Sequence, residues 1–300
     1  MPTSQDSHQF GPRVPAAAVA AVAARVPQAV PRGGPGWCAA VACLLEASAA
    51  KPGNVHPGAA FPDLSFADLA AAAGAIAPVL DRATETPLGR TILDAVTASR
   101  AVTRSNANLG IILAIAPLAA LPAGMAWSDA MPRRLTPADA GDIWRAIALA
   151  QPGGMGTSAA LDLAGPPPAD IHEAMRLAAP RDQIAALWIH GYAGLVAGLV
   201  ADLAQEFAAG DDWDAAIVRG FLRQLGRAAD SLVARKHGDA VAEAVSARAA
   251  AVLAGPDEEW RDRAAAFDRG LRGPQRINPG TTADLVAAAL YILLRSPSHE

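Results

Sequence analysis

Residues 109–127 carry no charge. Such a run approaches the length that spans a bilayer, yet Pro117 and Pro122 interrupt it. Proline removes an amide donor and clashes with the preceding turn, so the run reads as a buried core helix that ends in a turn. Elsewhere the chain has neither the alternation of half-buried strands nor a β-branched run bounded by turns. Hydrophobic residues make up 52% of the 300-residue chain and aromatics 5%. A core of Ala, Leu, Val and Ile favours closely packed helices over sheets.

The pattern predicts helices over 37–50, 65–82, 86–103, 110–121, 136–150, 180–209, 212–237, 240–254, 258–269 and 282–295. Ser65 with Asp68 has the spacing of a capping box, and Thr136-Pro137 that of an N-cap followed by a first-turn proline. Connections are short and no linker divides residues 37–300. Residues 1–36 are rich in Pro, Gly, Ala and polar side chains, and read as a loose arm with one short helix near 16–24. The expected fold is all-α: one arm (1–36) and one helical catalytic domain (37–300) of about ten to twelve helices.

The net charge of −4, without a basic block, excludes nucleic acid or a membrane surface as the main partner. Cys38 and Cys43 fit no zinc spacing and read as buried thiols of a reducing compartment. No signal-peptide pattern precedes the domain, and a cytoplasmic protein is expected. The apolar helices leave a homodimer open. A Walker-type loop, a dinucleotide-binding glycine fingerprint and a nucleophile elbow are all absent from the sequence. Nucleotides would have to be held by helix ends and side chains.

Four polar islands interrupt the apolar helices. Glu46 closes one helix, and Lys51-Pro-Gly-Asn54-Val-His56 follows it; Lys51 and Lys236 are the only lysines. Asn106 and Asn108 precede the most apolar helix. Asp230 stands before Arg235, Lys236 and His237, and Asn278-Pro-Gly-Thr281-Thr282-Ala-Asp284 opens the last helix. Singly, each is an ordinary helix terminus: a cation or Pro-Gly at a C-terminus, Asn or Thr at an N-cap, Asp284 reaching back to Thr281. Asp230 reads either as an ion-pair partner of the neighbouring arginines or as a metal ligand. Together the islands gather carboxylates, cations, hydroxyls and free backbone N–H groups, which suit a Mg²⁺-triphosphate.

These islands resemble the ATP:dephospho-CoA triphosphoribosyltransferases, also called triphosphoribosyl-dephospho-CoA synthases. The likeness runs through Glu46 with Lys51-Pro-Gly-Asn54, Asn106-x-Asn108-Leu-Gly110, Gly153-Gly-x-Gly156, Arg181-Asp182-x-Ile184, Ser231-Leu-x-Ala-Arg-Lys-His-Gly238 and Asn278-Pro-Gly-Thr-Thr-Ala-Asp284. The final motif is the most specific. The resemblance implies an all-α enzyme that moves the 5-triphosphoribosyl group of ATP onto a ribose hydroxyl of 3′-dephospho-CoA and releases adenine, with Mg²⁺ on the triphosphate. His56 stands where members of the family often carry an acid, and Phe61-Pro-Asp63-Leu-Ser65 replaces a more acidic stretch, which marks a divergent branch. The same chemistry on another acceptor, such as a one-carbon or pterin cofactor precursor, and a non-catalytic nucleotide-binding protein are the alternatives.

Such a transfer needs a held triphosphate, a stabilised sugar cation and a base for the acceptor hydroxyl. Glu46 or Asp63 is the candidate base or cation stabiliser. Lys51, Arg235 and Lys236 are the candidate phosphate ligands. Asn54, His56, Asn106, Asn108, Thr281 and Thr282 are the further substrate contacts, and Asp230 and Asp284 the candidate Mg²⁺ ligands.

Overall fold

The computed structural model describes residues 33–296, apart from 104, 106, 123–124, 128–129, 131–134, 151–165 and 211–212. The expected arm up to residue 32, Asn106 and the glycine-rich break at 151–156 therefore lie outside the described residues. The helices are α1 (Pro35–Ser48), α2 (Phe66–Leu80), α3 (Leu88–Val102), α4 (Leu109–Ala119), α5 (Pro137–Ala150), α6 (Ile171–Ala178), α7 (Gln183–His190), α8 (Ala193–Ala208), α9 (Trp213–Arg227), α10 (Ser231–His237), α11 (Asp239–Ala254), α12 (Trp260–Leu271) and α13 (Gly280–Arg295). No strand occurs among the described residues; two isolated bridges, His56 with Ala59 and Phe61 with Leu64, make tight turns after α1.

Two buried helices organise the rest. Every residue of α13 from Leu285 to Leu293 is buried, as is every residue of α4 from Ile111 to Ala119. A helix apolar on all sides is stable only when other helices cover it. On one side α1, α2, α3 and α5 pack in succession; on the other, α8 to α12 pack around α9 and α11; α13 touches both groups. Glycine permits the closest of these approaches. A Cβ at Gly36 would lie 1.9 Å from the Ala77 carbonyl of α2.

Pro117 cannot donate to the Leu113 carbonyl one turn behind it. The indole Nε1 of Trp188 in α7 donates to that carbonyl instead (3.1 Å), and the Tyr192 hydroxyl donates to Ala114 O (2.6 Å). The carbonyl that Pro117 leaves free thus fastens α7 to α4, and Tyr192 adds a second tie just before α8.

Ser65 and Asp68 form the expected capping box, and Thr136 with Asp139 makes the same reciprocal pair before α5. Asp139 also accepts from Gly89 N in α3 (2.9 Å), so one carboxylate caps two helices.

Three expectations are corrected. The helix expected over 180–209 is two, bent by 112° at Gly191, whose φ of 72° suits only glycine. The helix expected over 212–237 also divides, because the extended Asp230 turns its side chain onto the Leu232 and Val233 amides and starts α10. Helix α6 lies over Ile171–Ala178, where no helix is expected from the sequence. No single helix among the described residues is long and apolar enough to cross a membrane; α7 and α8 pass that test only together, across their bend.

Candidate active site

A cavity of about 1310 Å³ opens where α1 ends and α4, α7 and α13 begin. Single small-molecule sites usually occupy about 300–1,000 Å³, so this one has room for two large substrates. Its walls differ. Trp144, Ile147, Ile171, Ala174 and Met175 make an apolar wall from α5 and α6, while α10, α13 and the loop before α13 supply Arg235, Lys236, Arg276, Asn278, Thr281 and Asp284. The first turns of α4, α7 and α13 all line the space. The dipoles at such ends favour anions, although Asp182 already holds the Ile184 and Ala185 amides of α7 and Asp230 the Thr282 amide of α13.

Glu46 faces the cavity from α1 and is 5% exposed. Beyond it the chain turns back sharply. Lys51 is fully buried, and its ammonium donates to Glu46 Oε1 (2.9 Å), to the Glu46 carbonyl and to Ala49 O (3.3 Å). With three N–H groups on three acceptors, and no place on the cavity wall, Lys51 has nothing left for a phosphate; that expectation is corrected. It holds the Glu46 side chain.

The Lys51–Asn54 turn is pressed onto the loop before α13. Gly53 has φ 77°, donates to Asp268 Oδ1 (2.7 Å), and would carry a Cβ only 2.8 Å from Ile277 O. Asn54 is buried on the cavity wall and its Nδ2 donates to Asn278 Oδ1 (2.6 Å). Arg272 donates to both oxygens of Asp268 (2.8 and 2.9 Å) and to Asn54 O, so the first and last islands are fastened by side chains of α12 and the residue after it. His56 lies beside this junction and off the cavity wall; burial, then Arg272, lowers its pKa. The expected substrate contact at His56 is thus not part of the cavity.

Asp230 is corrected as well. Its side chain is fully buried, and its two oxygens accept from Leu232 N (2.9 Å), Val233 N (3.0 Å), Thr282 N (2.7 Å) and Thr282 Oγ1 (2.8 Å). A carboxylate so engaged is the tie between α10 and α13 and is turned away from the cavity with Thr282. Thr281 reaches the cavity but does not cap α13, which begins one residue earlier; its Oγ1 accepts from Ser231 Oγ (3.1 Å). Asn108 lines the cavity, precedes α4 and accepts from Ser99 Oγ (2.6 Å).

Asp284 stands apart from these. It lines the cavity, is half-buried and accepts no hydrogen bond among the described residues. Its carboxylate occupies the space above Gly110 in the first turn of α4, where a Cβ would lie 2.0 Å from Oδ2. Burial, then the charges of Glu46, Asp230 and Asp182, hold its pKa well above the usual carboxylate range, with Arg235 opposing them. A cation beside it would relieve that repulsion. Asp63, the other candidate base, lines the cavity but is exposed.

Arg235 pairs with Asp182 (3.1 Å), which also caps α7 through Ile184 N and Ala185 N. Lys236 is exposed on the cavity edge. Asp182, Asp268, Arg272 and Arg276 are the functional neighbours that sequence reasoning left without a role. Asp182, two residues after Pro180, had the signal of an N-cap; the arginines had none beyond their charge.

No curated protein matches the chain. A crystal structure from Archaeoglobus fulgidus, provisionally assigned as a triphosphoribosyl-dephospho-CoA synthase, has the same fold: TM-score 0.57 and 22% identity over 75% of this chain and 97% of that one. The sequence pattern of the ATP:dephospho-CoA triphosphoribosyl transferases matches residues 34–299, nearly the whole chain. With its polar islands brought to one cavity, this chain belongs to the ATP:dephospho-CoA triphosphoribosyl transferase family.

Proposed function

We propose that this cavity binds ATP and 3′-dephospho-CoA together and transfers the 5-triphosphoribosyl group between them. The observation that carries this is the meeting of Glu46 and Asp284 with three helix N-termini in one space of about 1310 Å³. In the reaction the bond from adenine to the ribose anomeric carbon breaks and a bond from that carbon to the acceptor hydroxyl forms. The hydroxyl proton leaves by way of the base, and adenine departs carrying one proton.

Glu46, pinned by Lys51, is the base in this mechanism, and its negative charge also suits the sugar cation developing beside it. Asp63 is exposed to water, where its charge is screened. The opening turn of α4 receives phosphate oxygens, and Lys236 adds charge at the edge. Mg²⁺ fits Asp284, a cavity-facing carboxylate with no donors on it and three acids nearby; Mg²⁺ commonly takes only one or two carboxylates beside substrate phosphates. When bound it neutralises phosphate charge. The apolar wall of α5 and α6 receives the pantetheine arm of the acceptor. A cytoplasmic location goes with this reading of the substrates.

The test is adenine release from ATP by purified protein, with and without dephospho-CoA. Release should require dephospho-CoA, and Glu46→Gln and Asp284→Asn should each lower the rate by about 10²–10⁴-fold. Both variants retaining the native rate while folded would refute the assignment. Release with a different acceptor only would move the substrate and keep the chemistry.

A further inference from the structure

Arg276 is the one non-glycine residue with positive φ among the described residues (φ 47°). A left-handed backbone crowds Cβ against the following carbonyl and persists where the surroundings over-determine it. Those surroundings are present. Arg276 N donates to Gly273 O (3.0 Å) and Ile277 N to Leu271 O (2.8 Å), while Arg272 and Asn278 fasten the same loop to the turn after Lys51. Glycine would take this conformation freely, yet arginine stands there. Its side chain is exposed, lines the cavity and makes no ion pair or hydrogen bond among the described residues. It shares the cavity wall with Lys236 and the opening turn of α13.

We infer that Arg276 is a phosphate-binding residue of this cavity, held by a rigid loop so that its guanidinium meets the phosphate chain of a nucleotide. Guanidinium binds phosphate through paired N–H groups, and a side chain fixed at its root loses less freedom on binding. The inference rests on the proposed reaction for the identity of the nucleotide and on geometry alone for the anion. The chain could belong to the triphosphate of ATP or to the diphosphate of dephospho-CoA.

Arg276→Gly separates a binding role from a structural one, because it removes the cation while relieving the backbone. The variant should melt at or above the native temperature, yet bind inorganic tripolyphosphate about tenfold or more weakly by calorimetry. Its KM should rise for ATP if the donor's chain is bound, or for dephospho-CoA if the acceptor's is, with kcat changed less. Arg276→Lys should recover part of the binding. Unchanged tripolyphosphate affinity, unchanged KM for both substrates, no recovery by lysine, or a lower melting temperature for Arg276→Gly would each overturn the inference. Should the native protein release no adenine with dephospho-CoA, the proposed reaction fails, and the tripolyphosphate titration still decides the role of Arg276.

Discussion

Lys51 has no water to donate to: its ammonium is shared among Glu46 Oε1 and two carbonyls at the end of α1. Removing one partner of a buried ion pair leaves an uncompensated charge and costs about 3–5 kcal/mol. Lys51→Met should therefore lower unfolding free energy in urea by about that amount. A phosphate ligand behaves differently, losing affinity for ATP with stability intact. The chain's other lysine, Lys236, is exposed on the cavity edge and unpaired among the described residues. Two lysines with the same neighbours in sequence, a glycine within two residues and a helix end, thus have opposite surroundings. Spacing alone cannot distinguish them, because exposure is set by packing: the turn that follows Lys51 meets the loop before α13, more than two hundred residues away in the chain, through Gly53 and Asn54.

At the scale of elements, the helices hold one another through groups that sequence irregularities set free. Pro117 deprives the Leu113 carbonyl of its intrahelical partner, and Trp188 Nε1 supplies another. Trp188→Phe should cost about 1–3 kcal/mol from the carbonyl left unmet, and markedly less in a Pro117→Ala background, where the restored amide bonds that carbonyl. A double-mutant cycle measured by urea unfolding reads the difference; additive effects would show that the two residues are not linked. Asp230 works in the same way, ending one helical run, capping the next and receiving Thr282 from a third. The expectation of an unbroken helix over 212–237 failed there because hydrophobic periodicity continues across the break, while a side chain competing for backbone amides leaves no periodic trace.

For the whole molecule, Asp284 sets function against stability. Its raised pKa means that above about pH 4, the ordinary carboxyl value, the unfolded chain has lost a proton that the fold still holds. Stability from this group is therefore full at lower pH and is lost as pH rises through its folded titration. Asp284→Asn should melt higher than the native protein at neutral and alkaline pH, without nucleotide and with chelator present, while adenine release is lost. Melting temperature against pH in both proteins checks this; a variant that melts lower throughout would show that the carboxylate supports the fold.

By itself the sequence determined the fold class, most helix positions, one capping pair, the Thr136 N-cap and the family. Those depend on local spacing: apolar residues at helical period, caps at fixed offsets, motifs in order. It also marked Glu46, Asn54, Asn108, Lys236, Thr281 and Asp284, which the structure brings to one cavity wall. Only the tertiary structure decided that Lys51, Asp230 and Thr282 face inward as ties, that His56 lies aside, and that Arg276 enters from a loop with no motif of its own. The physical reason is the same in each case. Whether a polar side chain binds a ligand or holds the fold depends on which donors and acceptors surround it and whether it faces the cavity, and both are chosen by packing.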